Sequence, residues 1–444
     1  MRVFKQAVHL TGVLALLLSF NTNATTAMGL NGDGRTLEEL HALMLEFDPE
    51  LKLAETRVQK ARDSVDVYKS QLLPQISLTS QLNTTRYDSD VAGYRYTGER
   101  NSIALNQVIF DKKVSSAIDQ AEFEQLVVES QLDAMRQERL ALLVERYLNL
   151  VKAQYDLNTV EEEFELLTRI GDQVRSLYEK KLISVVDLTN SEARIAQAAA
   201  NLTGARAKFE IAQETLFESV GASAYGPINT INLLEFSPAI EETGYEYWSD
   251  LALNFSPVLK TKTFQVKRAE AALAQAESEH YPKLGLQASH QRTNIGSEFS
   301  RTTSNSASVL SLNLSVPIYL GGSTRAKTRV QESELAIAQE ELRFTQMQVM
   351  REIRTALIDF KSTRSSQEAA LASAETAKMA RLAAEKSFEF GVVDTGAVLE
   401  RIADQYSAER NSIELAYRLI LSYFKLIKHT ASIDDDLLAA ISKG

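Results

Sequence analysis

Leu72-Leu73-Pro74-Gln75-Ile76-Ser77-Leu78 changes period at its proline. Upstream, apolar residues recur every three or four positions, as on a helix. Downstream, Ile76, Leu78 and Leu82 alternate with Gln75, Ser77, Thr79 and Gln81, as on a strand with two unlike faces. Proline suits the junction because it lacks the N–H that a helix interior needs and pushes the residue before it toward extended geometry. The same conversion occurs at His280-Tyr281-Pro282-Lys283-Leu284-Gly285-Leu286. The chain is organised around these two helix-to-strand junctions.

Before the first junction, Thr36 and Glu39 form a capping-box pattern for a short helix carrying Leu37, Leu40 and Leu43, and Pro49 suits the first position of the next helix. After the junction, strands are expected over about 75–87 and 101–110, joined by a polar loop across 88–98. Long helices follow over about 112–178 and 187–220. In the first of these, Leu143, Tyr147, Leu150, Leu157, Val160, Phe164 and Leu167 fall at coiled-coil spacings, and about 65 residues at 1.5 Å each reach roughly 100 Å. Residues 221–244, with Gly226, Pro227, Pro238 and Gly244, read as a connecting equatorial segment.

Beyond that segment the pattern returns. Phe255-Ser-Pro257-Val-Leu259-Lys260 repeats Phe47-Asp-Pro49-Glu-Leu51-Lys52, Pro282 repeats Pro74, Pro317-Ile318-Tyr319 aligns with Val108-Ile109-Phe110, and Phe388-Glu389 aligns with Tyr178-Glu179. Four anchors at nearly one offset indicate an internal duplication. Residues 28–220 are then a first repeat and 245–430 a second, the latter with strands over about 283–293 and 308–318 and helices over about 323–390 and 395–430. A polar tail, 431–444, closes the chain.

The 444 residues contain no cysteine, which excludes disulfides, zinc-thiolate sites, thiol nucleophiles and lipid attachment through an N-terminal cysteine. Residues 1–27 read as a signal peptide: Arg2 and Lys5 precede a mostly apolar stretch from Ala7 to Leu18, with small residues at Ala24 and Ala27. A retained N-terminal anchor is the alternative. The formal charge of -11 argues against a nucleic-acid partner. No later segment is apolar enough for a transmembrane helix, so any membrane entry must use strands.

Candidate chemistry is sparse. His9, His41, His280, His290 and His429 show no metal-ligand spacing, so no metal or cofactor is expected. Glu161-Glu162-Glu163 and Asp434-Asp435-Asp436 read as solvated charge runs. Gly321-Gly322 lacks the Lys-Ser/Thr of a phosphate loop and reads as a turn. Trp248 and Tyr247 read as packing residues, and Tyr87, Tyr94 and Tyr96 as an aromatic girdle near the outer strand ends. No nucleophile-base pair suggests an enzyme.

Strands of about ten residues with one apolar and one polar face are the pattern of a membrane barrel. Four strands cannot close one, and an open edge in lipid leaves unpaired backbone groups, so other copies of the chain must complete it. Three copies give twelve strands and an open lumen.

The residues resemble the TolC-like outer-membrane efflux and secretion channels, through Leu72-Leu73-Pro74-Gln75, Ile109-Phe110-Asp111, Val316-Pro317-Ile318-Tyr319-Leu320-Gly321-Gly322 and Asp436-Leu437-Leu438-Ala439-Ala440, in order and at the duplicated spacing. The resemblance implies a mixed α+β membrane protein. Three chains would form a 12-stranded antiparallel β-barrel in the outer membrane of a Gram-negative bacterium, continued by a long α-helical coiled-coil barrel across the periplasm. The implied partners are a periplasmic adaptor (membrane fusion protein) and an inner-membrane pump of RND, ABC or MFS type. The implied function is multidrug efflux, type I protein secretion, or both. A soluble periplasmic coiled-coil adaptor or scaffold is the alternative from a different class.

The resemblance also points to the far tip. Asp187 falls where the family has an aspartate that helps hold the aperture shut, Phe388 where a tyrosine hydroxyl takes part, and Val393 where an arginine does. Ala397 falls at one acidic ring and Glu400 at a second. This tip lacks a hydroxyl, a guanidinium and a carboxylate of that pattern, so apolar packing of Phe388, Phe390 and Val393 is expected to take over. Lys181, Leu182, Ile183 and Ser184 in one turn, and Gly391, Val392 and Asp394 in the other, are the candidate adaptor-docking positions. Gly391 keeps a family glycine, whereas Lys181 replaces one.

Overall fold

A computed structural model describes residues 34–88, 90, 93–221, 226–229, 231–234, 244–297, 300–428 and 430. The expected signal peptide, most of the connecting segment and the acidic tail lie outside the described residues. The elements run α1 (Leu37–Phe47), α2 (Pro49–Ser70), β1 (Gln75–Asp88), β2 (Gly93–Asp111), α3 (Lys112–Glu179) and α4 (Val185–Val220). After the connecting segment come α5 (Tyr245–Phe255), α6 (Pro257–Glu277), a 3-10 turn at Ser278–His280, β3 (Lys283–Ser297), β4 (Ser300–Ser315), α7 (Ser323–Glu389) and α8 (Thr395–Lys428).

Local chemistry sets these boundaries. Thr36 caps α1 by accepting the Glu39 N–H. Asp48 caps α2 with Oδ1, which accepts from Glu50 N at 2.8 Å and Leu51 N at 3.3 Å, and Pro49 fills the first helical position. In the second repeat Ser256 and Pro257 stand at the equivalent junction, where the serine makes no side-chain cap bond.

The four strands form one antiparallel sheet in the order β1-β2-β3-β4. They extend beyond the expected spans. The expected loop across 88–98 is largely strand, because β2 begins at Gly93, and β3 likewise continues to Ser297 before β4 starts at Ser300. Polar residues there, including the Thr84–Thr97 pair, continue the ladder and satisfy their backbone groups as well as apolar residues do. At the other end β4 stops at Ser315, short of the expected 318, because Pro317 has no N–H for a ladder.

The four longest helices lead away from one end of this sheet: α3 with 68 residues and α7 with 67, each returning as a shorter partner, α4 or α8. At 1.5 Å per residue α3 is about 100 Å long. The largest core lies part-way along the helices, where Leu37 and Leu40 of α1 and Trp248 of α5 pack with Leu143, Tyr147, Leu216, Ile353 and Ile420. The Tyr147 hydroxyl donates to Asn229 O at 2.8 Å, tying the connecting segment to α3. Trp248 is buried, while Tyr247 is exposed and meets its ring edge-on. Among the described residues no helix is long and apolar enough to cross a membrane.

Candidate functional site

Two surfaces stand out, the faces of the sheet and the tip of the helices. Register places Ile76, Leu105, Ala288 and Leu310 in one row across the four strands, with Leu78 and Ile103 in the next. Leu284, Leu286, Leu312 and Leu314 continue the same face toward the helices. The opposite face carries rows such as Gln75, Asn106, Gln287 and Ser311. Most of the aliphatic side chains of the first face are exposed, with Leu105, Leu284 and Leu286 half-buried, and Ile318 just beyond β4 is 91% exposed. A soluble sheet would cover such a face. The outer edges of β1 and β4 have no partner strand among the described residues.

Aromatic residues mark the rim nearest the helices: Phe110, Tyr281 and Tyr319 are exposed there. Tyr87 pairs with Tyr94, and Thr85 with Tyr96, near the hairpin turn. By register all three tyrosines share the parity of Gln75 and Asn106, not that of Ile76 and Ile103. The side chains expected to form the girdle lie outside the described ones.

At the far tip both helical turns have the same construction. In the first, Lys181 takes φ 59°, its N–H bonds Tyr178 O at 2.8 Å, and Leu182 N bonds Leu177 O at 2.9 Å. In the second, Gly391 takes φ 71°, its N–H bonds Phe388 O at 2.9 Å, and Val392 N bonds Ser387 O at 2.8 Å. These are left-handed helix caps, and the lysine adopts the conformation that glycine adopts at less steric cost. The next helices are capped by Ser184 and by Asp394, whose Oδ1 accepts Ala397 N at 2.8 Å.

Asp187 is taken up locally. Its carboxylate accepts from Ser184 N at 3.1 Å and Ser184 Oγ at 2.7 Å, completing a capping box at the start of α4. Ala397 occupies the same position of α8, where Asp394 caps alone. Glu400 is exposed, with Arg401 Nη2 at 3.4 Å. Asp187 and Glu400 are therefore not joined within the chain.

Phe388 and Val393 pack together within the chain. Phe388, 8% exposed, packs in a core with Ile170, Val174, Val398 and Ile402, and Val393 and Ile183 lie against it. Phe390 does not take part. It is 80% exposed, at the C-cap of α7 just before the left-handed Gly391. Leu182 and Val392 are exposed beside the two caps as well.

A polar layer above this core escaped sequence reasoning. Arg410 Nη1 reaches Glu163 Oε2 at 2.7 Å and so joins α8 to α3, while Arg381 bonds Gln405 and, at 2.6 Å, Glu385. Burial, aided by Glu162 and Glu409, pushes the Tyr406 hydroxyl up to about 12. Glu163 belongs to the run read as solvated, yet it is buried. Only its heptad position among Val160, Phe164 and Leu167 hinted at this. Among the described residues no three His, Cys, Asp or Glu side chains gather as a metal site.

A sheet with one apolar exposed face and open edges, carried on helices about 100 Å long, defines a subunit of a membrane channel with a helical extension. The sequence model of the family described as "Outer membrane efflux protein" matches residues 40–222 and again 248–431, one match per repeat, and the chain belongs to that family. It is 23% identical to outer membrane protein TolC of Vibrio cholerae over 411 residues, covering 92% of this chain and 93% of that one. It is 23% identical to the alkaline protease secretion protein AprF of Pseudomonas aeruginosa over 423 residues, covering 90% and 85%. The fold matches the crystal structure of the outer membrane protein VceC of Vibrio cholerae with a TM-score of 0.77 at 16% identity, covering 89% of this chain and 96% of that one. The protein is thus an outer-membrane channel with a long periplasmic helical portion, and the soluble-scaffold alternative is set aside. Its family is one of transport channels.

Proposed function

We propose that three copies of this chain form a passive export duct across the outer membrane and the periplasm, with no chemistry of its own. The observation that carries this reading is the four-stranded sheet, apolar on one exposed face and unpaired at both edges. Three copies would pair β4 of one chain with β1 of the next and give twelve strands around a polar lumen. A second unfinished surface supports assembly: Val330, Ile337 and Phe344 on α7 follow a seven-residue spacing, Ile358 lies two such steps further with Arg351 between, and all four apolar residues are exposed.

An adaptor would dock on the two tip turns, 181–184 and 391–394, where Leu182, Val392 and the neighbouring Phe390 offer apolar surface. An inner-membrane pump would supply the energy. Similarity to a protease secretion protein and to an efflux channel leaves both proteins and small molecules as cargo. Three Glu400 carboxylates around a narrow aperture would favour cations, and Phe388 and Val393 would hold the aperture hairpin closed by packing. Asp187 would act by fixing the start of α4.

Single-channel recording of the mature protein in a planar bilayer tests the duct. Discrete, long-lived, cation-selective steps are expected, with selectivity weakened in Glu400→Ala. Protein that stays monomeric and soluble without detergent, and never conducts, would overturn the reading.

A further inference from the structure

Three arginines share the apolar parity of the sheet but lie beyond the row of Leu78 and Ile103, where Leu82 is the one apolar residue among the described positions of that face. Arg292 follows Leu286, Ala288 and His290 on β3 and pairs with Asn101 and Ser306. Arg86 follows Ile76, Leu78 and Leu82 on β1 and pairs directly with Arg95 of β2. From Leu310 to Tyr319 the apolar stretch covers ten residues, which at about 3.3 Å each and a tilt near 40° makes roughly 25 Å, the height of a barrel's lipid-facing band. Arg292, four residues past Ala288 in the Leu310 row, stands on the order of 10 Å above the top of that band. Arg86 and Arg95 stand on the order of 15 Å higher by the same rise. The row below Arg292 is mixed, with Leu78 and Ile103 on β1 and β2, and His290 Nδ1 and Ser308 Oγ 2.8 Å apart on β3 and β4.

Two guanidiniums set directly opposite one another repel unless an anion lies between or beside them. Asp88 Oδ2 accepts from Arg86 Nε at 3.0 Å and answers one of them. Among the described residues Arg95 and Arg292 form no ion pair, and Glu99, the other acid of this face, sits opposite Leu82 and Asn294. The opposite rim of the band carries Phe110, Tyr281 and Tyr319 instead of arginines. Among the described residues of this face, the rim away from the helices carries three guanidiniums against two carboxylates, an excess of one positive charge on the side facing lipid.

We propose that this arginine rim binds the phosphate groups of anionic lipid headgroups in the outer leaflet. The inference rests on the reading that the apolar face meets lipid. A guanidinium fork suits it chemically, since it engages phosphate oxygens in bidentate fashion and keeps its charge at every physiological pH.

The test uses the full mature protein in neutral detergent, titrated with a bis-phosphorylated acylated disaccharide and with the same lipid lacking phosphates, bound lipid being read by native mass spectrometry. At least tenfold tighter retention of the phosphorylated lipid is expected. Combined Arg95→Gln and Arg292→Gln should abolish that preference, the two Lys variants should keep part of it, and Arg100→Gln on the polar face should leave it unchanged. Equal binding of the two lipids, an unaltered preference in the double Gln variant, or full competition by millimolar inorganic phosphate would each overturn the proposal. Bilayer conductance of each variant separates the two readings. Variants that conduct normally yet lack the preference support the rim, whereas a wild-type protein that needs no detergent and never conducts removes the membrane reading and the rim with it.

Discussion

Lys113, in the first turn of α3, and Glu279, in the 3-10 turn before β3, are separated by 166 residues of chain and meet at 2.9 Å. Lys327 of α7 reaches the same carboxylate at 2.8 Å. Glu279 is the more enclosed partner, its side chain 12% exposed, and it clasps the N-terminal two turns of both long helices where they leave the sheet. Its hydrogen bonds to Lys327 and then Lys113 hold its carboxyl below the ordinary value of 4.5. The two repeats are joined at this point.

Glu279→Gln should therefore lower stability by about 1–2 kcal/mol, the range for hydrogen bonds to charged groups discounted for the half-exposed lysines. The carboxyl is depressed in the folded state, so its contribution is present above about pH 4.5 and is lost as pH falls through the lower folded value. Thermal melts between pH 3 and 7 check this. The difference between variant and wild type should vanish at the acid end.

Arg139→Ala should cost more, about 3 kcal/mol, because it strands a buried charge. Arg139 Nε donates at 2.6 Å to Asp48, whose side chain has no exposed surface. The two backbone N–H groups that Asp48 also accepts keep the loss near the lower end of the range. Urea unfolding monitored by circular dichroism measures it.

Leu312→Lys and Asn313→Lys place the same charge one residue apart on opposite faces of β4. On the lipid side a lysine costs about 2–4 kcal/mol near the middle of the band, while on the lumen side it is tolerated. Refolding into detergent or vesicles should fail or weaken for the first and proceed for the second. The reverse result would exchange the faces of the barrel.

Phe388→Ala should destabilise the tip by about 3 kcal/mol through the cavity it leaves, and Phe390→Ala should leave stability unchanged because the ring is exposed. Hydrogen exchange over the last turns of α7 reads the difference. In a bilayer, Phe388→Ala should spend longer in open states.

Gly391→Ala should cost about 1 kcal/mol through its left-handed backbone, and Lys181→Gly should relax the equivalent strain. Exchange rates of the Leu182 and Val392 amides, which close the two caps, report each change locally.

Helix-to-strand conversion at Pro74 and Pro282, the lengths of the helices and the duplication were legible in the sequence because each rests on local period and on proline's backbone chemistry. The strand ends were not. Residues 93–100 carry polar side chains that suit a loop as well as a strand, and only the partner strand β1 decides between them. Phe388 and Phe390 are two residues apart with the same side chain, and nothing local separates the buried ring from the exposed one.

The sequence by itself determined the alternation of faces, the long helices and the turn at Gly391, since period, backbone chemistry and the duplication act over short or regular distances. Only the tertiary structure decided that Asp187 closes a capping box on its own helix, that Glu163 is buried against Arg410, that Lys113 and Lys327 share Glu279, and that Arg86 faces Arg95. Each of these depends on which elements pack or pair across long stretches of chain. That arrangement is set by the summed burial and backbone pairing of whole elements, not by the residues at the contact.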